Sequence, residues 1–401
     1  MKRLRTASSR QLTLLAAVVA ALAASAAIAQ AALTGSGPMP SPKALASAVL
    51  DAANAPQPEG LTAKIHFTNN LLPSGSLPGG ASSPLASGAD GRLWIQKSGK
   101  FRLELQSDAG DAQIVSDGSK VTVYDASSNT VYRVALPAGA TDAAKPADHA
   151  GEKLTLDKIN KTLDELAKTW TVSGAQPSST AGQPTYTVKI SPKDDGGLLG
   201  AAEVAWDAVR GAPLRAAVYA HGQSTPVLQL EATDVSYDAV PDSAVAITPP
   251  AGATVNDFSP KDMGANQHAG HSKQADVQGL DNVQRAAGFE FSAPATLAGL
   301  PRKEVRLVNL GEEKGALAIY GQGFGAIGVL AHKATPSKSG AADKGGERAL
   351  RLPSINIDGA TGSELATALG TVVTFDRAGV SYVVAGSVPP VAAENAARGL
   401  R

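Results

Sequence analysis

The chain has 401 residues, of which 43% are hydrophobic, so its length predicts two or three domains with enough apolar material for folded cores. Its 36 basic and 36 acidic residues cancel, and this balance gives no support for binding to nucleic acid. The absence of cysteine excludes disulfides, thiolate metal sites, cysteine nucleophiles and a lipid-modified N-terminal cysteine.

Residues 1–31 have the composition of a secretory signal peptide. Basic residues within the first ten positions precede an apolar run from Leu12 to Ile28, and an Ala-Gln-Ala cleavage site ends at Ala31. An apolar run of about 17 residues can also just span a bilayer, so an uncleaved N-terminal anchor is the alternative. Both interpretations place the rest of the chain outside the cytoplasm, in the periplasm or at the exterior of the cell envelope.

The segment after the signal peptide predicts a helix and then a strand. Residues 42–54 carry apolar side chains at helical spacing, with Ser41 as the expected N-cap. The alternation in Leu61–Thr68 predicts the first strand. The Gly- and Pro-rich stretch Leu71–Gly88 has two open interpretations: a loose hairpin tip, or a mobile flap whose leucines cover a cavity.

The stretch Gly91–Leu136 predicts consecutive antiparallel hairpins. Short runs of aliphatic and aromatic residues are separated by turn sequences such as Ser98-Gly99 and Asp117-Gly118. Within Phe101–Gln106, Phe and Leu alternate with Arg, Glu and Gln, so one set of side chains is expected on a buried face.

This meander contains GRLWIQKSGKFRLEL followed by QIVSDGSKVTVYD, and it resembles the outer-membrane lipoprotein carrier LolA and its relatives. Their pattern is a Gly-x-Leu-Trp strand, a turn, a Phe-containing strand, a strand running into Ser-Asp-Gly, and an aromatic strand. The resemblance implies an α+β fold in which a curved antiparallel half-barrel is covered by helices on its concave side, with acyl chains or other hydrophobic ligands held in between. The matching positions are Gly91, Leu93, Trp94, Phe101, Ser116, Asp117, Gly118 and Tyr124.

Later segments extend the resemblance to residues 42–255. Residues 155–170 predict a helix with one apolar stripe, which is either ordinary core packing or, as in the family, a cover for the cavity mouth. Ala205-Trp206-Asp207, the RGAPLR segment at 210–215 and the Pro-rich ending at 247–252 also resemble the family. Where LolA carriers often have an Arg-Pro latch, this chain has Lys97-Ser98, so no such latch is expected and Lys97 is predicted to be a surface residue.

Residues 256–286 are predicted to be a linker, and residues 287–401 a smaller α+β domain. Its Gly288-Phe289 opening and the ending SYVVAGSVPP resemble the C-terminal domain of RseB/MucB-type regulators. A capping box at Thr361 and Glu364 predicts a helix to Leu369. A second helix is predicted for 389–400, and strands for Phe291, Ala293-Pro294, 305–310, 316–320, 327–331, 372–376 and 380–385.

Motifs for catalysis or metal binding are weak. Gly323–Gly328 fits G-x-G-x-x-G but precedes a predicted strand rather than a helix, which favours a Gly-rich hairpin over a dinucleotide site. His268 and His271 have ligand-like spacing, but a solvated linker is favoured over adventitious zinc. No nucleophile elbow or H-E-x-x-H motif occurs, so no catalytic residue, cofactor or resident metal is expected and the chain is predicted not to be an enzyme.

The resulting hypothesis is an extracytoplasmic binding protein, peripheral to the membrane, that holds a lipid or lipoprotein acyl chain. Two alternatives stay open: an RseB-like regulator that binds a membrane-anchored anti-sigma factor or another envelope-stress partner, and a structural envelope protein whose half-barrel is filled by its own side chains. For every candidate residue, core packing is the alternative to ligand contact. The candidate ligand-contacting residues are Ile65, Phe67, Trp94, Phe101, Leu103, Ile114, Val123 and Leu163.

Overall fold

The structure is a computed structural model that describes residues 37–72, 84–108, 110–126, 128–136, 154–193, 197–258, 277–310, 313–334 and 352–401. The predicted signal peptide, the middle of the predicted flap and the pair His268 and His271 lie outside these residues. The described helices are α1 (Leu45–Asn54), α2 (Pro84–Ser87), α3 (Leu156–Leu166), α4 (Leu280–Ala287) and α5 (Pro390–Arg398).

The fold is α+β, and its first part is a curled antiparallel half-barrel, as the resemblance implies. The strands lie in the order β13-β6-β5-β4-β3-β2-β1-β12-β11-β10-β9-β7, with β8 also paired to β9. These strands are β1 (Gly60–Asn69), β2 (Gly88–Gln96), β3 (Phe101–Gln106), β4 (Ala112–Ser116), β5 (Lys120–Asp125), β6 (Thr130–Ala135), β7 (Trp170–Val172), β8 (Gln176–Thr180), β9 (Gln183–Pro192), β10 (Leu199–Asp207), β11 (Pro213–Ala220), β12 (Pro226–Ser236) and β13 (Thr254–Phe258).

The predicted meander is confirmed as β2 to β6, each strand antiparallel to the next. Gly91 shows why the first of these strands needs glycine: a Cβ there would lie 1.9 Å from the carbonyl oxygen of Glu104. Only a residue without a side chain lets β2 and β3 approach this closely. The predicted helix at 155–170 is confirmed as α3, but it ends at Leu166, and Trp170 begins β7 instead. Helix α1 begins after Ala44 without a side-chain cap, so Ser41 is not its N-cap.

The second sheet has the order β14-β15-β16-β17-β21-β20-β19-β18. Helices α4 and α5 pack on one face of it, where Val283 and Leu400 are fully buried in the second core. Residues 277–286, which composition assigned to the linker, therefore include most of a helix of this core. The strands are β14 (Thr296–Leu297), β15 (Leu300–Leu310), β16 (Glu313–Tyr320), β17 (Ile327–Lys333), β18 (Ser354–Ile357), β19 (Ala360–Thr367), β20 (Gly370–Arg377) and β21 (Val380–Gly386).

Two sequence-based assignments in the second part were wrong. The capping-box helix from Thr361 to Leu369 is instead strand β19, because this segment pairs with β18 on one side and β20 on the other. Ladder hydrogen bonds on both edges outweigh a local capping pattern. Phe291 and Ala293 are buried in the second core but lie before β14 and belong to no strand.

The second sheet lies against one end of the first. The amide of Ala368 donates to the carbonyl of Leu71, just beyond the end of β1, over 2.9 Å. The rings of Trp170 in β7 and Phe324 in the β16–β17 loop make an edge contact with centroids 5.3 Å apart.

A third contact joins the β9–β10 turn to the end of β21. The amide of Leu198 lies 3.0 Å from both the carbonyl oxygen and the hydroxyl of Ser387. Gly197 precedes it with φ of +60°, and a Cβ at that position would lie 2.1 Å from the Ser387 carbonyl oxygen. The two parts of the chain therefore touch through backbone groups in close approach.

Candidate functional site: the apolar face of the first sheet

One face of the half-barrel carries continuous rows of apolar side chains. Directly paired residues of antiparallel strands point to the same face. The register pairs Ala63 with Leu93, Leu93 with Leu103, Leu103 with Ile114, Ile114 with Val123 and Val123 with Tyr132, so a single row crosses six strands from β1 to β6. We call the surface that bears this row the apolar face.

Flanking rows widen the same face. On one side of the central row, Leu61 pairs with Ile95 and Ile95 with Phe101. On the other side, Ile65 pairs with Gly91 and Gly91 with Leu105. Alternation along β1 also places Phe67 on this face.

Burial decreases along the central row. Ala63 is 2% exposed, and the neighbouring Ile65 on β1 is 3% exposed. Leu103, Ile114 and Val123 are half-buried, and Tyr132 at the far end is 38% exposed. Helix α2 contacts β1, β2 and β3, and its Leu85 packs on the β1 end of the face. The β4–β6 end of the face is therefore the more accessible part.

Helices α1 and α3 pack on each other, and α1 packs on another part of the half-barrel. Ala48 of α1 is buried with Ala175 and Tyr186, and the Tyr186 hydroxyl donates to the carbonyl of Ser41 over 2.7 Å. Ile159 of α3 is buried, whereas Leu163 on the same helix is half-buried. The helices thus lie near the β9–β10 end.

The structure brings most of the predicted site residues together. Leu163 belongs to the helix pair, and Trp94 lies on the opposite face because it pairs with Thr62 and Arg102. The guanidinium carbon of Arg102 is 5.8 Å from the centroid of the Trp94 ring. The candidates that share the apolar face are Ile65, Phe67, Phe101, Leu103, Ile114 and Val123.

Sequence reasoning missed Leu93 and Ile95, which occupy the apolar face on either side of Trp94. The signal was present, because strict alternation puts these two residues on the face opposite to tryptophan. Trp94 was predicted instead of these two aliphatic residues because it is aromatic. Ligand contact by any of these residues stays a prediction.

The opposite face carries charged and polar groups, and we call it the polar face. Arg215, which is 7% exposed, donates to a carboxylate oxygen of Glu203 over 3.1 Å, and the Tyr219 hydroxyl donates to the same oxygen over 3.0 Å. Burial raises the pKa of Tyr219, and the charge of Glu203 adds to the effect. Burial also raises the pKa of Glu231, against the opposing charges of Arg215 and His66. In β10 and β11, this face is therefore organised by charge pairing.

Within the described ranges, no cluster of three His, Asp or Glu side chains is arranged to hold a metal ion. In the same part of the chain, no helix has both the length and the apolar character needed to cross a membrane.

Comparison with known proteins gives partial matches. A family model described as "Predicted periplasmic protein (DUF2092)" matches residues 81–164, which is less than half of the chain. This segment includes the whole β2–β6 meander. No curated protein sequence is similar enough to count as a match.

Solved structures give wider but distant matches. A structure of the MucA/MucB complex from Pseudomonas aeruginosa is similar at 13% identity and a TM-score of 0.41, over 88% of this chain and 96% of that chain. A putative outer membrane lipoprotein-sorting protein domain from Vibrio parahaemolyticus matches at 10% identity and a TM-score of 0.23, over 50% of this chain and 94% of that chain. A LolA superfamily protein from Nitrosomonas europaea matches at 10% identity and a TM-score of 0.22, over 51% of this chain and 98% of that chain. Structures from both families that the sequence resembles are thus among the matches.

Proposed function

We propose that this chain is an extracytoplasmic, non-enzymatic binding protein that holds a lipid or lipoprotein acyl chain on the apolar face of its half-barrel. The observation that carries the proposal is the row from Ala63 to Tyr132, which stays apolar while its burial decreases. A face whose central row is apolar and only half-covered has the chemistry to take an apolar ligand.

The hydrophobic effect is sufficient for such binding without any catalytic group. Each methylene group removed from water contributes about 0.8 kcal/mol. Leu103, Ile114 and Val123 lie on adjacent strands, so an extended chain could contact them in succession. Neighbouring strands are about 4.8 Å apart, so the row offers a path of the right scale for an acyl chain.

The test is native mass spectrometry of the mature protein purified from its own envelope fraction, followed by organic extraction. We expect a discrete added mass that extracts as a lipid. Ile114→Glu should abolish this mass, because it places a charge in the middle of the apolar face. Gln113→Glu is the matched control, since it adds the same charge on the same strand but on the polar face.

Either of two results would refute this proposal. One is a bare protein mass for the unsubstituted chain. The other is retention of the lipid by a folded Ile114→Glu variant. Circular dichroism of both variants establishes that they are folded.

A second candidate function, a regulator that binds a membrane-anchored partner protein, is favoured by one observation in the second sheet. Leu317 pairs with Leu330 and Leu330 with Val383, and all three are half-buried. They alternate with the buried residues beneath α4 and α5, so they lie on the face away from these helices. Crosslinking at native expression level should capture a membrane protein, and Leu330→Asp should prevent capture while leaving any bound lipid in place. Failure to recover any membrane protein would count against this function.

A further inference from the structure

A cavity lies on the polar face, beneath a segment that crosses it. We call residues 240–250 the strap. The side-chain amide of Gln96 in β2 donates to the carbonyl of Val240 over 3.0 Å and to Asp242 over 3.1 Å. Arg102 in β3 donates to the carbonyl of Ala246 over 2.9 Å. The chain then enters β13 beside β6, so the strap passes over the meander from one side to the other.

The strap and strands β4–β6 border a half-open cavity of about 370 Å³. Val115 and Thr122 line its sheet side, and each is 5% exposed. The strap side is formed by Val245, Ile247 and Pro249. This volume lies at the lower end of the range for small-molecule sites, and the walls are about equally polar and apolar.

The polar part of the lining includes three cations and two anions. Lys100 pairs with Asp242 over 3.5 Å, and Lys120 pairs with Asp117 over 3.4 Å. The charges within each pair cancel, so Arg133 gives the lining a net positive charge.

Asp117 is committed to its own turn. It accepts hydrogen bonds from the backbone amides of Ser119 and Lys120, over 2.9 and 3.0 Å. Arg133 has a looser arrangement, because its Nη1 lies 3.9 Å from Asp257, which is longer than a hydrogen bond. Its planar set of N–H donors is therefore available to a second anion, and guanidinium matches the geometry of a carboxylate.

We propose that this cavity binds a small carboxylic acid with a compact apolar body, and that Arg133 receives the carboxylate. The apolar body would lie between Val115 and the strap residue Ile247. Because Val115 pairs with Arg102 and Thr122, it lies on the polar face. The site is therefore on the other side of the sheet from the apolar face and independent of any lipid bound there.

The probe is 1-naphthoate, titrated into the full mature chain by equilibrium dialysis, with 1-naphthylmethanol as its neutral analogue. We expect saturable binding of the acid and much weaker binding of the alcohol. Arg133→Gln should weaken binding of the acid about tenfold or more, because it removes the charge-assisted contact. Arg92→Gln is the matched control, since Arg92 is exposed on the same face but outside the cavity.

The variant Ile114→Glu distinguishes this site from the apolar face, and it should leave naphthoate binding unchanged. The proposal would be overturned by the absence of saturable binding, by equal binding of the acid and the alcohol, or by equal effects of Arg133→Gln and Arg92→Gln. Loss of naphthoate binding in Ile114→Glu would also overturn it, because the acid would then occupy the apolar face. If Ile114→Glu loses the lipid but still binds naphthoate, the result bears on the proposed function and leaves the naphthoate site unaffected.

Discussion

Removal of the Tyr237 hydroxyl tests how the β10–β11 turn is stabilised. Asp207 is fully buried, and it accepts hydrogen bonds from the amides of Val209 and Arg210 over 2.7 and 2.9 Å. The Tyr237 hydroxyl adds a third donor at 2.6 Å. A hydrogen bond to a charged acceptor contributes roughly 1.5 to 3 kcal/mol, and its loss leaves a buried carboxylate one donor short. We therefore expect Tyr237→Phe to lower the free energy of unfolding by about 2 kcal/mol.

Urea denaturation followed by tryptophan fluorescence measures this effect. Trp94, Trp170 and Trp206 all lie in strands of the first sheet, so the signal reports unfolding of that part of the chain. The denaturation midpoint should decrease by about 1 M urea at the usual dependence of stability on denaturant. Tyr124→Phe is the control, because the Tyr124 hydroxyl makes an exposed bond of 3.3 Å and its removal should cost under about 0.5 kcal/mol. Equal midpoints for the two variants would refute the reasoning.

Tyr237→Phe should also change how stability depends on pH in the alkaline range. Burial raises the pKa of Tyr237, and both the hydrogen bond to Asp207 and the charge of Asp207 add to the effect. The folded state thus keeps a proton that the unfolded state loses near pH 10, so this contribution to stability is present below about pH 10 and is lost as the pH rises further. Tyr237→Phe should reduce the alkaline loss of stability. An unchanged alkaline limb of the stability curve would contradict the assigned direction.

Three further predictions concern other parts of the chain. Burial acts to raise the pKa of Asp117, but hydrogen bonds from Ser119 and Lys120 outweigh it and lower this pKa to about 2. The ionised carboxylate therefore stabilises the folded state above about pH 4, and this stabilisation is lost as the pH falls toward about 2. Asp117→Asn should flatten the acid limb of the stability curve. Ile65→Ala should lower the free energy of unfolding, measured by urea denaturation, by about 2 to 5 kcal/mol. Ile114→Ala should lower it clearly less, because Ile114 is only half-buried. Equal losses for the two variants would contradict the burial gradient. Phe324→Ala should weaken the contact with Trp170 by about 0.5 to 1.5 kcal/mol, seen as a larger radius of gyration in small-angle scattering.

The parts of the fold that the sequence predicted are those whose pattern is local. In β2–β6, side-chain alternation and turn residues agree with each other, and antiparallel neighbours follow directly in the chain. Helix α3 shows the same agreement, because Thr155 caps it by accepting from the amide of Lys158 and its apolar stripe has helical spacing.

The missed parts depend on pairing between distant segments. Strand β13 pairs in parallel with β6, more than a hundred residues earlier, and no local pattern encodes this. Alternation correctly placed Phe101 and Leu103 on one face of β3. It did not identify the strap cavity, because Arg133 and Ile247 come together only when the chain crosses the sheet.

The contact at the β9–β10 turn also bears on how this sequence can vary over evolution. The amide of Leu198 bonds to Ser387 through a group that every residue except proline possesses, so the side chain at 198 can change without loss of the bond. Gly197 has no such freedom. Any other residue there places a Cβ against the Ser387 carbonyl oxygen and favours separation of the two parts of the molecule. A substitution as small as Gly197→Ala would therefore weaken the contact between the two sheets.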